Sequence, residues 1–220
     1  MPLFPCYTVD KGLKKQEFLR RSKMYRVYGA IIEIIAASVF IIPLWCIYNK
    51  LWIHGWKKTI IYMVFAFYLA ALSALVGFPS VTSLEANLTV NIIPFVDIAS
   101  DLVNACLNIL LFVPFGFFLP ILWETFRKIK NAALAGLITT LFIEISQIFT
   151  FRTTDINDII TNTIGTIAGY FIARLITDNF TKRILLNSKI NDFYIICGTV
   201  VVVMFFFQPF ISSLLWETVL

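Results

Sequence analysis

The chain has 220 residues, 59% of them hydrophobic, and a mean hydropathy of +0.84. This composition excludes a soluble globular protein and predicts an all-α fold, a polytopic bundle of transmembrane helices within the lipid bilayer. Its net charge of +5 fits Lys and Arg at one membrane face better than a nucleic-acid partner. Four scattered Cys and a single His predict neither a metal site nor another cofactor.

A basic N-terminal tail at 1–26 precedes six apolar segments, each long enough to cross a membrane. We expect these segments at 27–48, 59–78, 102–122, 131–150, 158–176 and 193–215. The first one carries Glu33 and Pro43, which a re-entrant segment or one lying in the membrane interface would tolerate, but its length favours a full span. We therefore divide the chain into four parts: the tail, an additional membrane segment with its loop (27–58), a membrane core (59–176), and a basic loop with a C-terminal membrane helix (177–220).

Lys and Arg are concentrated in alternate connections. The connections 49–58, 123–130 and 177–192 carry nine of them, whereas 79–101 carries none and 151–157 carries one. Because positively charged loops remain on the cytoplasmic side, we predict that 79–101 and 151–157 are extracytoplasmic. A full span of the first segment would then place the basic tail outside, contrary to the same rule.

The densest run of polar residues lies between the fourth and fifth segments. Glu144 and Gln147 are three residues apart, and Asp158 and Asn162 are four apart, so each pair shares a helix face. At about 1.5 Å per residue, Asn108, Glu144 and Asn162 all lie about 6–9 Å below the predicted outer ends of their helices. A charge at mid-bilayer costs about 2.5–3.5 kcal/mol, so we predict a polar site shared by these helices near the outer surface.

These residues also have structural interpretations. Asp155 is a good N-cap, and Asp158 three residues later resembles the acidic member of a capping box. Arg152 could pair with a neighbouring acid, and Asn108 and Asn162 could make hydrogen bonds between helices. Glu144 favours a functional interpretation, because an acid at that depth is normally paired, protonated or functional.

Small residues and prolines surround the polar run. Gly165 and Gly169 form a small-xxx-small pattern, which lets another helix approach closely. Pro114, two residues before Gly116, interrupts the third segment and frees a carbonyl group. Pro94 could turn the 79–101 loop back over the site.

Four motifs follow one another in the chain: Asn91-Ile-Ile-Pro94-Phe95, Asn108-Ile-Leu-Leu-Phe112-Val-Pro114-Phe115-Gly116, Glu144-Ile-Ser-Gln147, and Asp155-Ile-Asn-Asp158-Ile-Ile-Thr-Asn162-Thr-Ile-Gly165. In this order and spacing they resemble the VanZ-like family, small membrane proteins named for a glycopeptide-resistance accessory protein. The resemblance covers about residues 87–172. It implies a bacterial, multi-pass plasma-membrane protein, and the named member is linked to low-level resistance to teicoplanin.

Three functions are compatible with this pattern. The favoured one is a binding or accessory protein that engages a lipid-linked envelope precursor or a lipoglycopeptide from the outer leaflet. Its candidate ligand-binding residues are Asn91, Asn108, Glu144, Gln147, Arg152, Asp155, Asp158 and Asn162, with Phe95, Phe112, Phe115, Phe149 and Phe151 around them.

The second function is an enzyme that acts on a lipid-linked or surface-polymer group. Glu144 or Asp158 would be the acid or base, and Arg152 would hold phosphate. The third is transport, with Glu144 as a proton carrier. We rank both lower, because no His, Ser or Cys nucleophile accompanies the acids and the chain shows no internal repeat.

Overall fold

The computed structural model describes residues 7–84, 90–91, 102–150, 154–180, 186 and 188–219. Within them, six helical stretches are long and apolar enough to span a membrane, and each overlaps one predicted apolar segment. The predicted all-α, multi-pass bundle is therefore confirmed. Large apolar side chains such as Leu110 and Leu175, 65% and 64% exposed, cover its outer faces, as expected of a surface in contact with lipid.

Within the described residues, seven α-helices build the six spans. They are α1 (Tyr7–Tyr48), α2 (Trp56–Val76), α3 (Leu102–Leu122), α4 (Ile129–Gln147), α5 (Ile156–Phe180), α6 (Ile190–Val202) and α7 (Gln208–Val219). A π-helical turn at Asn49–Ile53 extends α1, and a second at Val203–Phe207 joins α6 to α7 within one span. A short 3-10 helix at Glu124–Arg127 connects α3 to α4.

The first predicted segment lies within one continuous helix. α1 has 42 residues and contains Pro43 without a break. At about 1.5 Å per residue it extends about 63 Å, roughly twice the thickness of the hydrocarbon layer. A re-entrant segment needs the chain to reverse inside the membrane, so that interpretation of 27–48 is wrong.

The chain reverses between α1 and α2 at a turn that Asn49 holds. Its Oδ1 accepts hydrogen bonds from the Gly55 N–H at 3.0 Å and from the Thr59 hydroxyl at 2.9 Å. His54 adopts a left-handed backbone conformation, with φ of 51°, which ends the π-helical turn. These bonds place the start of α2 beside the end of α1.

The helices α3 and α5 pack backbone against backbone. A Cβ atom at Gly116 on α3 would overlap the Thr166 carbonyl group, and one at Gly169 on α5 would overlap the Val113 carbonyl oxygen. Gly165 faces the Ile109 carbonyl oxygen in the same way. Only glycine fits at these positions, and the close approach brings the polar residues of α5 next to α3.

Candidate functional site

Glu144 joins the end of α4 to the start of α5. Its side chain is 2% exposed, and its Oε2 accepts a hydrogen bond from the Asp155 N–H at 3.0 Å. The Thr154 hydroxyl donates to the Glu144 carbonyl oxygen at 3.1 Å. The first N–H groups at a helix N-terminus lack acceptors within the helix and carry partial positive charge. The Glu144 carboxylate thus provides an acceptor for an N–H group at the start of α5.

Asp155 is the N-cap of α5. Its Oδ1 accepts a hydrogen bond from the Asn157 N–H at 2.9 Å, which is the usual bond of an N-cap. In a capping box, Asp158 would accept the Asp155 N–H, but in the structure that N–H is donated to Glu144 on α4. The Oδ1 of Asp158 instead accepts a hydrogen bond from Asn108 Nδ2 on α3 at 2.6 Å.

A segment of the loop between α2 and α3 reaches the same place. The strand β1 (Val90–Asn91) pairs in parallel with β2 (Thr154–Asp155), with Asn91 opposite Asp155. Asn91 Nδ2 also donates to Asp155 Oδ2 at 3.4 Å, a long hydrogen bond. Pro94, predicted to turn this loop back over the site, lies outside the described residues.

Gln147 and Asn162 connect further helices to the cluster. Both are 4% exposed. Gln147 Nε2 donates to the Val76 carbonyl oxygen at the end of α2, at 2.8 Å. Asn162 Nδ2 donates to the Thr140 hydroxyl oxygen on α4, at 2.9 Å. Asn108 and Asn162 therefore both make bonds between helices, and the cluster touches α2, α3, α4 and α5.

We define the polar cluster as Asn91, Asn108, Thr140, Glu144, Gln147, Thr154, Asp155, Asp158 and Asn162. It lies in the part of the chain that matches a known family: residues 60–177 match the model of the VanZ/LLP1 family. The chain belongs to the VanZ/LLP1 family. The match covers more than half of the chain and confirms the resemblance predicted from the motifs. Comparisons with curated proteins and with solved structures found no match.

The VanZ/LLP1 region contains two cluster residues that sequence reasoning missed, Thr140 and Thr154. Thr140 precedes Glu144 by four residues and so lies on the same face of α4, a signal that the spacing rule could have used. Thr154 had no such signal, because its role depends on where β2 lies relative to the end of α4. Arg152, assigned as a site residue from the sequence, lies outside the described residues.

The phenylalanines predicted to surround the polar cluster differ in their exposure. Phe112 and Phe115 of the VanZ/LLP1 region are fully buried, and the Phe115 ring stacks on Phe65 with centroids 6.2 Å apart. Phe149 is 49% exposed. Phe95 and Phe151 lie outside the described residues. Phe112 and Phe115 therefore belong to the core of the bundle, because packing between helices buries more of their apolar surface than the site would.

Below the cluster, α3 remains helical through Pro114. Proline leaves the carbonyl group four residues earlier, that of Leu110, without its usual donor. The Tyr68 hydroxyl on α2 donates to the neighbouring Leu111 carbonyl oxygen at 2.7 Å. Among the described residues, no group of three or more His, Cys, Asp and Glu could hold a metal ion.

Proposed function

We propose that this VanZ/LLP1 protein is a binding or accessory protein of the bacterial plasma membrane. Its polar cluster would engage an amphiphilic envelope ligand from the outer leaflet, either a lipid-linked envelope precursor or a lipoglycopeptide such as teicoplanin. The family match supports a role in the response to glycopeptides. The burial of the cluster between apolar helices supports a ligand that is itself partly within the membrane.

The observation that carries this proposal is the bonding of the acids. Glu144 and Asp155 accept hydrogen bonds from backbone N–H groups, and Asp158 accepts one from a side-chain amide. Such bonds fix the orientation of a carboxylate and engage its oxygens as acceptors. A general acid or base must instead exchange its proton with a substrate. The bonding of these acids therefore supports a preformed recognition site over a catalytic one.

The composition of the cluster indicates the ligand groups that it would recognise. Carboxylates accept hydrogen bonds, so they suit ligands that present hydroxyl, amide or ammonium groups. The sugar and peptide parts of envelope precursors and of lipoglycopeptides present such donors. Arg152, assigned from the sequence, would hold a phosphate or carboxylate group of the same ligand.

Binding measurements in lipid nanodiscs test the proposal. Wild type, Glu144→Gln and the control Glu124→Gln would be titrated with teicoplanin, with teicoplanin lacking its acyl chain, and with an undecaprenyl-linked precursor. We expect wild type to bind a probe that carries a lipid chain and the deacylated probe to bind more weakly. Glu144→Gln keeps an acceptor oxygen, so its affinity should stay within about fivefold of wild type. Glu124 is exposed in the connection between α3 and α4, so its variant should match wild type.

Two results would count against this function. If wild type binds none of the probes more strongly than an unrelated membrane protein does, the proposed ligand class is wrong. Turnover of the precursor by wild type that Glu144→Gln or Asp158→Asn abolishes would establish the alternative, an enzyme in which one of these acids exchanges protons.

A further inference from the structure

A second polar cavity lies at the other end of α2. It has a volume of about 380 Å³ and is formed by the end of α1 with its π-helical turn, the start of α2 and the start of α6. Lys58 lines this cavity, whereas Val76 accepts the bond from Gln147 in the polar cluster. The two residues are 18 positions apart, which corresponds to about 27 Å along the helix. The cavity is therefore separate from the polar cluster and does not depend on its proposed function.

Aromatic rings form one wall of the cavity. Trp45 and Tyr62, each 1% exposed, pack edge to face with their centroids 6.1 Å apart. Tyr48 stacks on Trp52 at 5.9 Å, and Trp52 is 70% exposed. A change from buried to exposed rings at the end of a span is typical of the membrane–water interface, where Trp and Tyr are enriched.

The polar wall carries two lysines and one acid. Lys58 Nζ lies 3.0 Å from Asp192 Oδ2, which also accepts a hydrogen bond from the Tyr62 hydroxyl at 2.6 Å. The same ammonium group lies 5.1 Å from the centroid of the Tyr62 ring. These contacts hold Lys58 at a fixed position beside the cavity. Lys189 is exposed and makes no ion pair within the described part of the chain, so one positive charge is in excess.

We propose that this cavity binds the phosphate group of an anionic phospholipid. The two ammonium groups would donate charge-assisted hydrogen bonds to the phosphate oxygens, and the single excess positive charge matches one phosphodiester. Trp52 and Ile195, which also line the cavity, would contact the glycerol and the first acyl carbons. Its size lies within the range of small-molecule sites.

The cavity belongs to the segments that flank the family region. Of the described residues that line it, Tyr62 alone falls within the matched residues 60–177. The others come from 45–58 and from 189–195. The family match therefore does not assign this site, which arises from the way α1 and α6 pack against α2.

Native mass spectrometry of the full chain in detergent tests the proposal, with phosphatidylglycerol and phosphatidylcholine as probes. We expect wild type to retain one phosphatidylglycerol in preference to phosphatidylcholine. Lys189→Gln should weaken that retention about fivefold, as expected for the loss of one interfacial positive charge. Lys57→Gln is the matched control, because Lys57 is exposed, adjacent to Lys58 and not part of the lining. Its retention of phosphatidylglycerol should equal that of wild type.

Equal retention of the two lipids, or an equal loss in Lys57→Gln and Lys189→Gln, would overturn the site. Inorganic phosphate distinguishes the two possible ligands that carry a phosphate group, a phospholipid and a soluble phosphate. If phosphate alone displaces phosphatidylglycerol at millimolar concentration and raises the melting temperature in a Lys189-dependent manner, the ligand is a soluble phosphate and the lipid assignment is wrong. Lys58→Gln also removes the partner of Asp192, so Lys189→Gln, which keeps that ion pair, is the decisive variant.

Discussion

At the scale of single residues, the main feature is a buried acid with a backbone partner. Glu144 is 2% exposed within an apolar bundle, where an uncompensated charge would be costly. Its bond to the Asp155 N–H offsets part of this cost and also provides an acceptor at the start of α5. The same side chain therefore contributes to folding, whatever the site binds.

Two substitutions separate the hydrogen bond of Glu144 from its charge. Glu144→Ala removes the acceptor of the Asp155 N–H and should lower the free energy of unfolding by about 1–3 kcal/mol. Glu144→Gln keeps an acceptor oxygen and should lose less. Equilibrium unfolding in mixed micelles measures both. The exposed Glu124→Ala should stay within about 0.5 kcal/mol of wild type. A Glu144→Ala variant as stable as wild type would show that the bond contributes nothing.

At the scale of elements, the contact between α3 and α5 sets the distances in the polar cluster. Gly116, Gly165 and Gly169 let the two backbones touch. This approach places Asn108 on α3 within 2.6 Å of the Asp158 carboxylate on α5. A wider spacing between the helices would break that bond first, because two short side chains have little reach.

Alanine at two glycine positions should have opposite effects. In Gly169→Ala the added methyl group meets the Val113 carbonyl oxygen, which is backbone, so α3 and α5 must separate. We expect a loss of about 1–3 kcal/mol in the free energy of unfolding. Gly198→Ala in α6 is the matched control, because in the described part of the chain no atom beyond the adjacent residues and backbone of its own helix lies within 4 Å of the added methyl group. The better helix propensity of alanine should stabilise this variant by up to about 1 kcal/mol. Equal effects of the two variants would contradict the close packing of α3 and α5.

At the scale of the whole molecule, the polar cluster and the cavity lined by Lys58 and Lys189 lie at opposite ends of the bundle that the described helices form. The positive-inside rule predicts that the cavity faces the cytoplasm and the polar cluster faces outward. The basic tail opposes this orientation, because the six spans found in the described residues would place it on the same side as the C-terminal end, outside the cell. Sidedness thus decides whether the cluster can contact an external glycopeptide.

Cysteine labelling in intact cells measures the sidedness. Ser83 follows α2 and Thr125 follows α3, so the two exposed residues lie at opposite ends of the bundle. In a chain without its four native cysteines, Ser83→Cys should react with an impermeant thiol reagent and Thr125→Cys should not. Both should react after the cells are permeabilised. Reaction at Thr125→Cys alone would show that the cluster faces the cytoplasm, and it would exclude direct contact with an external ligand.

The sequence allowed prediction of the helices because each apolar segment is about as long as the membrane is thick. Boundaries moved by a few residues: α4 begins at Ile129 and α5 at Ile156, each two residues earlier than expected. The common depth of Asn108, Glu144 and Asn162 indicated a shared polar region but not the partners. Those partners depend on the rotation of each helix about its axis, which spacing alone does not fix.

Other features had no signal in the sequence. The pairing of Val90–Asn91 with Thr154–Asp155 involves two residues on each side, too few for a periodic pattern. The bond between Lys58 and Asp192 joins residues 134 positions apart. It forms only because α6 packs beside the start of α2, and the hydropathy of the two helices does not specify that they are neighbours.

Residues of the polar cluster that bond to each other are far apart in the sequence, so they are synthesised at different times. Asn108 and Asp158 are 50 residues apart, and Glu144 meets an N–H that follows it by 11 residues. Ribosomes add about 5–20 residues per second, so Asn108 is made about 3–10 seconds before its partner. Gln147, by contrast, bonds to Val76, which precedes it in the chain. Asn108 is therefore without its Asp158 partner until the N-terminus of α5 has been synthesised.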